Sequence, residues 1–119
     1  KFKETCPIHA ESYSSAEVLR GPVSIVDSGF PVIALASHDD AESALASVAD
    51  EIAAKGASVF TTSSKVEKAT PLPSTRTGHA LTDPITLIAN FYAMVERTAS
   101  SRGINPDAPR HLKKVTETV

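Results

Sequence analysis

The chain has 119 residues, 41% of them hydrophobic, with a formal net charge of −2 and a single cysteine, Cys6. That length supports one core, read as one domain over residues 1–119. With no Lys/Arg block and no apolar run near the ~20 residues of a membrane span, nucleic acid and membrane are excluded as partners, and the lone thiol suits a reducing cytoplasm.

Lys1-Phe-Lys-Glu4 puts two lysines and a glutamate within four residues. At helical pitch Lys1 and Glu4 share a face, so the run reads as the last turn of a helix that begins upstream. Taken alone, the pair suits a solvated ion pair. Ser14 or Ser15 is placed to cap a short helix, which Gly21-Pro22 interrupts. Ser28-Gly-Phe-Pro31 is a turn. Val32 to Ala36 is a continuous apolar run, the pattern of a parallel strand buried on both faces. Asp39 reads as the next N-cap, with Glu42 completing a capping box. Leu45, Val48, Ala49 and Ile52 recur at helical spacing, and Lys55-Gly56 ends that helix.

Ala57 to Thr61 reads as a second strand, followed by a polar loop over residues 62–68. Thr61-Thr-Ser-Ser64 is taken as part of that surface loop. Ala69 to Leu72 is a brief third strand, weakened by Pro71 and Pro73. Asp83-Pro84 starts a helix as N-cap and first-turn proline. Ile85, Ile88, Phe91, Tyr92 and Val95 continue it to about Ser101, and Gly103 closes it. The stretch from Pro106 to Pro109 leads into a basic tail. Strands alternating with helices predict a parallel α/β layer structure.

Several stretches together resemble a known family. Lys1–Glu4 fits K-x-K-E, and His9-Ala-Glu-Ser-Tyr13 fits H-A-E-x-[YF]. Glu17-Val-Leu-Arg20-Gly-Pro22 sits where the family has E-x-x-H-G-P, and Phe30 to Ala36 resembles its next core strand. Pro109-Arg-His-Leu-Lys-Lys-Val-Thr116 resembles its P-R-x-L-x-K-[ST]-V-T tail. The chain thus resembles the second sugar-isomerase (SIS) domain of the glucosamine-6-phosphate synthase (glutamine–fructose-6-phosphate aminotransferase) and double-SIS glucosamine-6-phosphate deaminase group. The resemblance implies a three-layer, flavodoxin-like sandwich with a parallel sheet, whose first strand and most of whose first helix lie upstream of Lys1. It implies the C-terminal half of a cytoplasmic, homodimeric two-SIS protein. Its substrate would be a hexose or hexosamine 6-phosphate, handled together with the first SIS domain of the same protein.

Aldose–ketose interconversion moves a proton between adjacent carbons, so it needs a carboxylate base and a cation for the developing oxyanion. By resemblance Glu4 is that base, acting between C1 and C2, and Lys1 steadies the intermediate. Lys114 matches the tail lysine implicated in ring opening. A lysine serves there when burial or a neighbouring cation such as Arg110 or Lys113 lowers its pKa, although a Lys-Lys pair alone is usually solvated. Arg20 replaces the family's ring-opening histidine. Arginine stays protonated and cannot take and return a proton, but it binds phosphate or carboxylate well. Ring opening then falls to another residue, or the substrate is an open-chain or different sugar phosphate, or activity is weakened. More simply, Arg20 pairs with Glu17, three residues earlier.

His9 and Glu11 read as site architecture, and Tyr13 as packed. Cys6 reads as an inert buried thiol. His38, His79 and His111 lack ligand spacing, so no metal is expected, and no cofactor is implied. Thr61–Ser64 has no helical pattern behind it and is not read as a phosphate cradle. In two-domain relatives that cradle lies in the first SIS domain, so this fragment alone is expected to be inactive. The alternative is a non-catalytic, sugar-phosphate-binding regulatory domain. Arg20 argues for it; Glu4 and Lys114 argue for catalysis. Lys-Phe-Lys-Glu-Thr-Cys leans toward the deaminase type, whereas an upstream glutaminase would mark the aminotransferase.

Overall fold

The computed structural model describes residues 1–112, so Lys113 and Lys114 lie outside the described residues. The chain divides into two compact units, one formed by Ser12–Ile88 and the other by Lys1–Glu11 with the chain from Ala89 onward.

The Ser12–Ile88 unit holds the sheet. Strands β1 (Pro31–Ala34), β2 (Ser58–Thr61) and β3 (Thr70–Pro71) lie in the order β1-β2-β3. Both pairings are parallel, with Pro31 opposite Ser58 and Phe60 opposite Thr70. Parallel neighbours need a crossover, and α3 (Glu42–Ala54) supplies the one between β1 and β2. Ala49 and Ile52 of α3 meet Val59 of β2 and Ala69 in one apolar cluster. Before β1, helix α2 (Ser15–Val18) and a 3₁₀ turn (Pro22–Ile25) add Val18, Leu19 and Val23 to that cluster. The fold class is the expected parallel α/β.

The end signals behave as their chemistry requires. Ser14 caps α2 in a full capping box, its hydroxyl accepting from the Glu17 N–H while the Glu17 carboxylate accepts from the Ser14 N–H. Gly56 follows α3 with φ +96, a left-handed conformation that favours glycine. Two details differ from expectation. β1 is half-buried rather than buried on both faces, because it is an edge of the described sheet. Asp39 does not cap α3; its carboxylate accepts from the Ala41 N–H in a tight local turn, and the Glu42 side chain points elsewhere.

The other unit packs α1 (Phe2–Thr5) against part of α4 (Asp83–Ser101). Cys6, Val95 and Ala99 are buried together, with Phe2, Ile8, Phe91 and Ile104 around them. The Phe2 and Phe91 rings meet edge to face at 5.5 Å. Gly103 and Ile104 turn back onto the Ser100 and Ala99 carbonyls, satisfying groups that a helix end leaves free. Helix α4 follows the expected range, but its apolar stripe is only partly used: Val95 is buried, while Ile85, Ile88 and Tyr92 stay exposed. Among the described residues, no helix is long and apolar enough to cross a membrane.

Candidate functional site

Lys1 and Glu4 are brought together as their spacing requires. Lys1 Nζ lies 3.2 Å from Glu4 Oε2, and both side chains are about half exposed, at 53%. The hydrogen bond from Lys1, and then its charge, hold the Glu4 carboxyl below its ordinary value. Nearby, Lys3 Nζ bonds Glu11 Oε1 at 2.7 Å, and His9 Nε2 lies 3.4 Å from the same oxygen. The Lys3 bond keeps Glu11 ionised in the same way. Cys6 is buried, and its thiol donates to the Val95 carbonyl at 3.2 Å, consistent with an inert structural thiol. Tyr13 does not pack as expected; it is half exposed.

Arg20 belongs to the Ser12–Ile88 unit and is exposed. Its expected pairing with Glu17 does not form. Glu17 is taken by Ser14, whose N–H and hydroxyl donate to Glu17 Oε2 at 3.1 and 2.8 Å. The capping box thus consumes the one carboxylate that helical spacing offered to the guanidinium. Lys114, the fourth candidate, lies outside the described residues.

The larger polar constellation was not foreseen. It sits at the carboxyl ends of the strands, where chain segments leaving β1 and β2 meet the starts of α3 and α4. Thr61, Thr62 and Ser63, expected on a surface loop, are buried there; only Ser64 is exposed. Thr62 Oγ1 accepts from the Ala36 N–H at 2.8 Å and donates to the Ala36 carbonyl at 3.1 Å. Ser63 Oγ donates to Glu42 Oε1 at 2.9 Å. These hydroxyls are spent on the protein itself, so burial here does not make a phosphate cradle.

Arg76 joins the pieces. One terminal nitrogen donates to the Ala36 carbonyl at 3.2 Å and to Asp83 Oδ2 at 3.0 Å. The other donates to Glu42 Oε1 at 3.3 Å and to the Thr62 carbonyl at 2.8 Å. Asp83 also accepts from the Thr77 and His38 backbone N–H groups at 2.8 and 2.9 Å. Those two amides, helped by Arg76 and the Thr77 hydroxyl, hold the Asp83 carboxyl well below the ordinary range, against the opposing effect of burial. For Glu42, burial pushes upward, but Ser63 and the Lys65 and Arg76 charges outweigh it and lower the pKa. Both carboxylates stand in the first turn of a helix, where the macrodipole favours negative charge.

A sequence signal for this cluster did exist. Arg76 is the only Lys or Arg between Lys68 and Arg97, set in a polar loop before an Asp-Pro helix start. The spacing around Glu42 and Asp83 predicts capping groups, but both carboxylates bind Arg76 instead, together with Ser63 at Glu42 and the Thr77 and His38 amides at Asp83.

No family model matches the chain. Among curated proteins it is 37% identical over 96% of its length to glutamine–fructose-6-phosphate aminotransferase (isomerising) from Aeropyrum pernix, and 35% identical over 96% to that of Pyrobaculum aerophilum. The chain spans about a fifth of the length of these relatives, 19% and 20% respectively. A crystal structure of a provisionally named phosphosugar isomerase from Silicibacter pomeroyi matches with a TM-score of 0.83 at 64% identity, covering 89% of this chain and 32% of that one. The C-terminal domain of glucosamine-fructose-6-phosphate aminotransferase from Francisella tularensis shares the fold, with a TM-score of 0.77 at 24% identity over 87% of this chain and 31% of that one. The chain is a homologue of the C-terminal part of the isomerising aminotransferases, and its fold is that of the sugar-isomerase (SIS) domains it matches.

Proposed function

We propose that this chain supplies the proton-transferring half-site of a sugar-phosphate isomerase, acting between C1 and C2 of a hexose or hexosamine 6-phosphate. The observation that carries the reading is the Lys1–Glu4 pair on one face of α1, exposed and 3.2 Å apart, in a chain homologous to isomerising aminotransferases. Glu4 acts as the base. A carboxylate held below its ordinary pKa is ionised at neutral pH but weakly basic while Lys1 neutralises it. As negative charge builds on the substrate oxygen, Lys1 turns to that oxygen, and Glu4 regains basicity when it must accept a proton. One lysine then serves two acceptors in sequence.

Lys114 takes part in ring opening in this reading, and Arg20 holds an anionic group of the substrate. The phosphate cradle and the rest of the site come from another sugar-isomerase domain of the same protein, in a cytoplasmic homodimer; the 119 residues alone are inactive. The curated relatives carry the aminotransferase name, while the 64%-identical structure carries only that of a phosphosugar isomerase, so the proposal rests on the isomerase step that the two names share. The test is to incubate the full-length protein with fructose 6-phosphate in deuterium oxide and follow C1 and C2 by NMR. Solvent deuterium enters those positions if the half-site works; no incorporation beyond a protein-free control would refute the reading.

A further inference from the structure

In open parallel α/β sheets, ligands usually bind in the crevice outside the carboxyl ends of the strands, with anions at the helix N-termini. In the Ser12–Ile88 unit that position is already filled. The first turns of α3 and α4 carry their own carboxylates, Glu42 and Asp83, only 3% and 0% exposed. Between them lies the Arg76 guanidinium, bound to both and to the Ala36 and Thr62 carbonyls that follow β1 and β2. All four of its described bonds are to fixed acceptors within one unit.

We infer that Arg76 is the resident ligand of this crevice, a guanidinium plug that closes the strand ends and excludes sugar phosphate from them. The charges reinforce the geometry. An incoming phosphate would meet two ionised, desolvated carboxylates rather than free N–H groups, and it would have to displace a planar cation that bridges them. The crevice selects a cation. The phosphate of any substrate is therefore held elsewhere, and the loop between β3 and α4 is strapped across the strand ends by its own arginine. The inference goes beyond the proton-transfer proposal and stands whether or not Glu4 is a base.

Chemical rescue tests it. Arg76→Ala in the full-length protein should lower the thermal midpoint by roughly 5–10 °C, since it removes the guanidinium shared by two buried carboxylates and leaves Glu42 with Ser63 and Lys65, and Asp83 with the His38 and Thr77 donors. Millimolar methylguanidinium should restore most of that loss in the variant and leave the unaltered protein unchanged. Methylammonium at equal ionic strength should not. Stabilisation of the variant by inorganic phosphate, or no preference for methylguanidinium over methylammonium, would overturn the inference. If Arg76→Ala does not fold, hydrogen exchange on the unaltered protein decides. The Thr77 and His38 amides, both bound to Asp83, should be protected together; exchange at the rate of free loop amides would equally overturn it.

Discussion

At the residue scale, Arg20 has no ion pair among the described residues, and the reason lies in what Glu17 does. The Glu17 carboxylate closes the α2 capping box, so it is not the partner of the guanidinium. If Arg20 stands in for a proton-shuttling histidine, the full-length protein should be slow on cyclic hexosamine phosphates. Arg20→His should then raise turnover on them by up to the ~10²–10⁴-fold of a positioned acid–base group. Arg20→Ala should instead weaken binding of substrates with a second anionic group. Steady-state kinetics separate the cases; changes within about twofold for both variants would make Arg20 a surface residue only. Asp83 yields a prediction of another kind. Its folded pKa is depressed, so it contributes stability above the unfolded carboxylate value of about 4 and loses that contribution as pH falls through the folded value. Asp83→Asn should lower stability at neutral pH and flatten the acid limb of the unfolding profile. Parallel acid limbs for the two proteins, measured by urea midpoints, would contradict this.

At the element scale, the signals that held are local and those that failed are long-range. Ser14, Gly56 and Gly103 end or begin helices through contacts within a few residues, so spacing alone exposes them. Gly56 is the sharpest case. Its φ of +96 disfavours any side chain, and an added Cβ would sit 3.4 Å from the Ser28 Cα. Gly56→Ala should cost about 1–2 kcal/mol, read as a lower urea midpoint with unchanged slope; an unchanged midpoint would show that this turn relaxes. Asp39 and Glu42 fit the capping-box spacing equally well, but Ser63 and Arg76, distant in sequence, compete for Glu42 and win. Spacing along a chain cannot reveal that competition. The exposed Ile85, Ile88 and Tyr92 make the same point from the apolar side: periodicity identified the α4 stripe, but burial depends on what lies opposite each turn.

At the scale of the whole molecule, the alternation of strands and helices was enough to predict a parallel α/β sheet, and end motifs in order were enough to suggest the family. The Lys1–Glu4 contact was legible because helical pitch alone dictates it. The Arg76 cluster was not, because four strand and helix ends must fold together before its partners become neighbours. Two polar centres thus have different standing. The strand-end network is consumed by the fold, whereas the Lys1–Glu4 pair is half exposed. The central claim, that Glu4 moves the proton, is most directly tested by Glu4→Gln in the full-length protein, with deuterium exchange at C1 and C2 measured beside sugar-phosphate affinity. The expected result is exchange reduced to the protein-free background with affinity kept within a few-fold. Exchange at a near wild-type rate in a folded, substrate-binding variant would contradict the account.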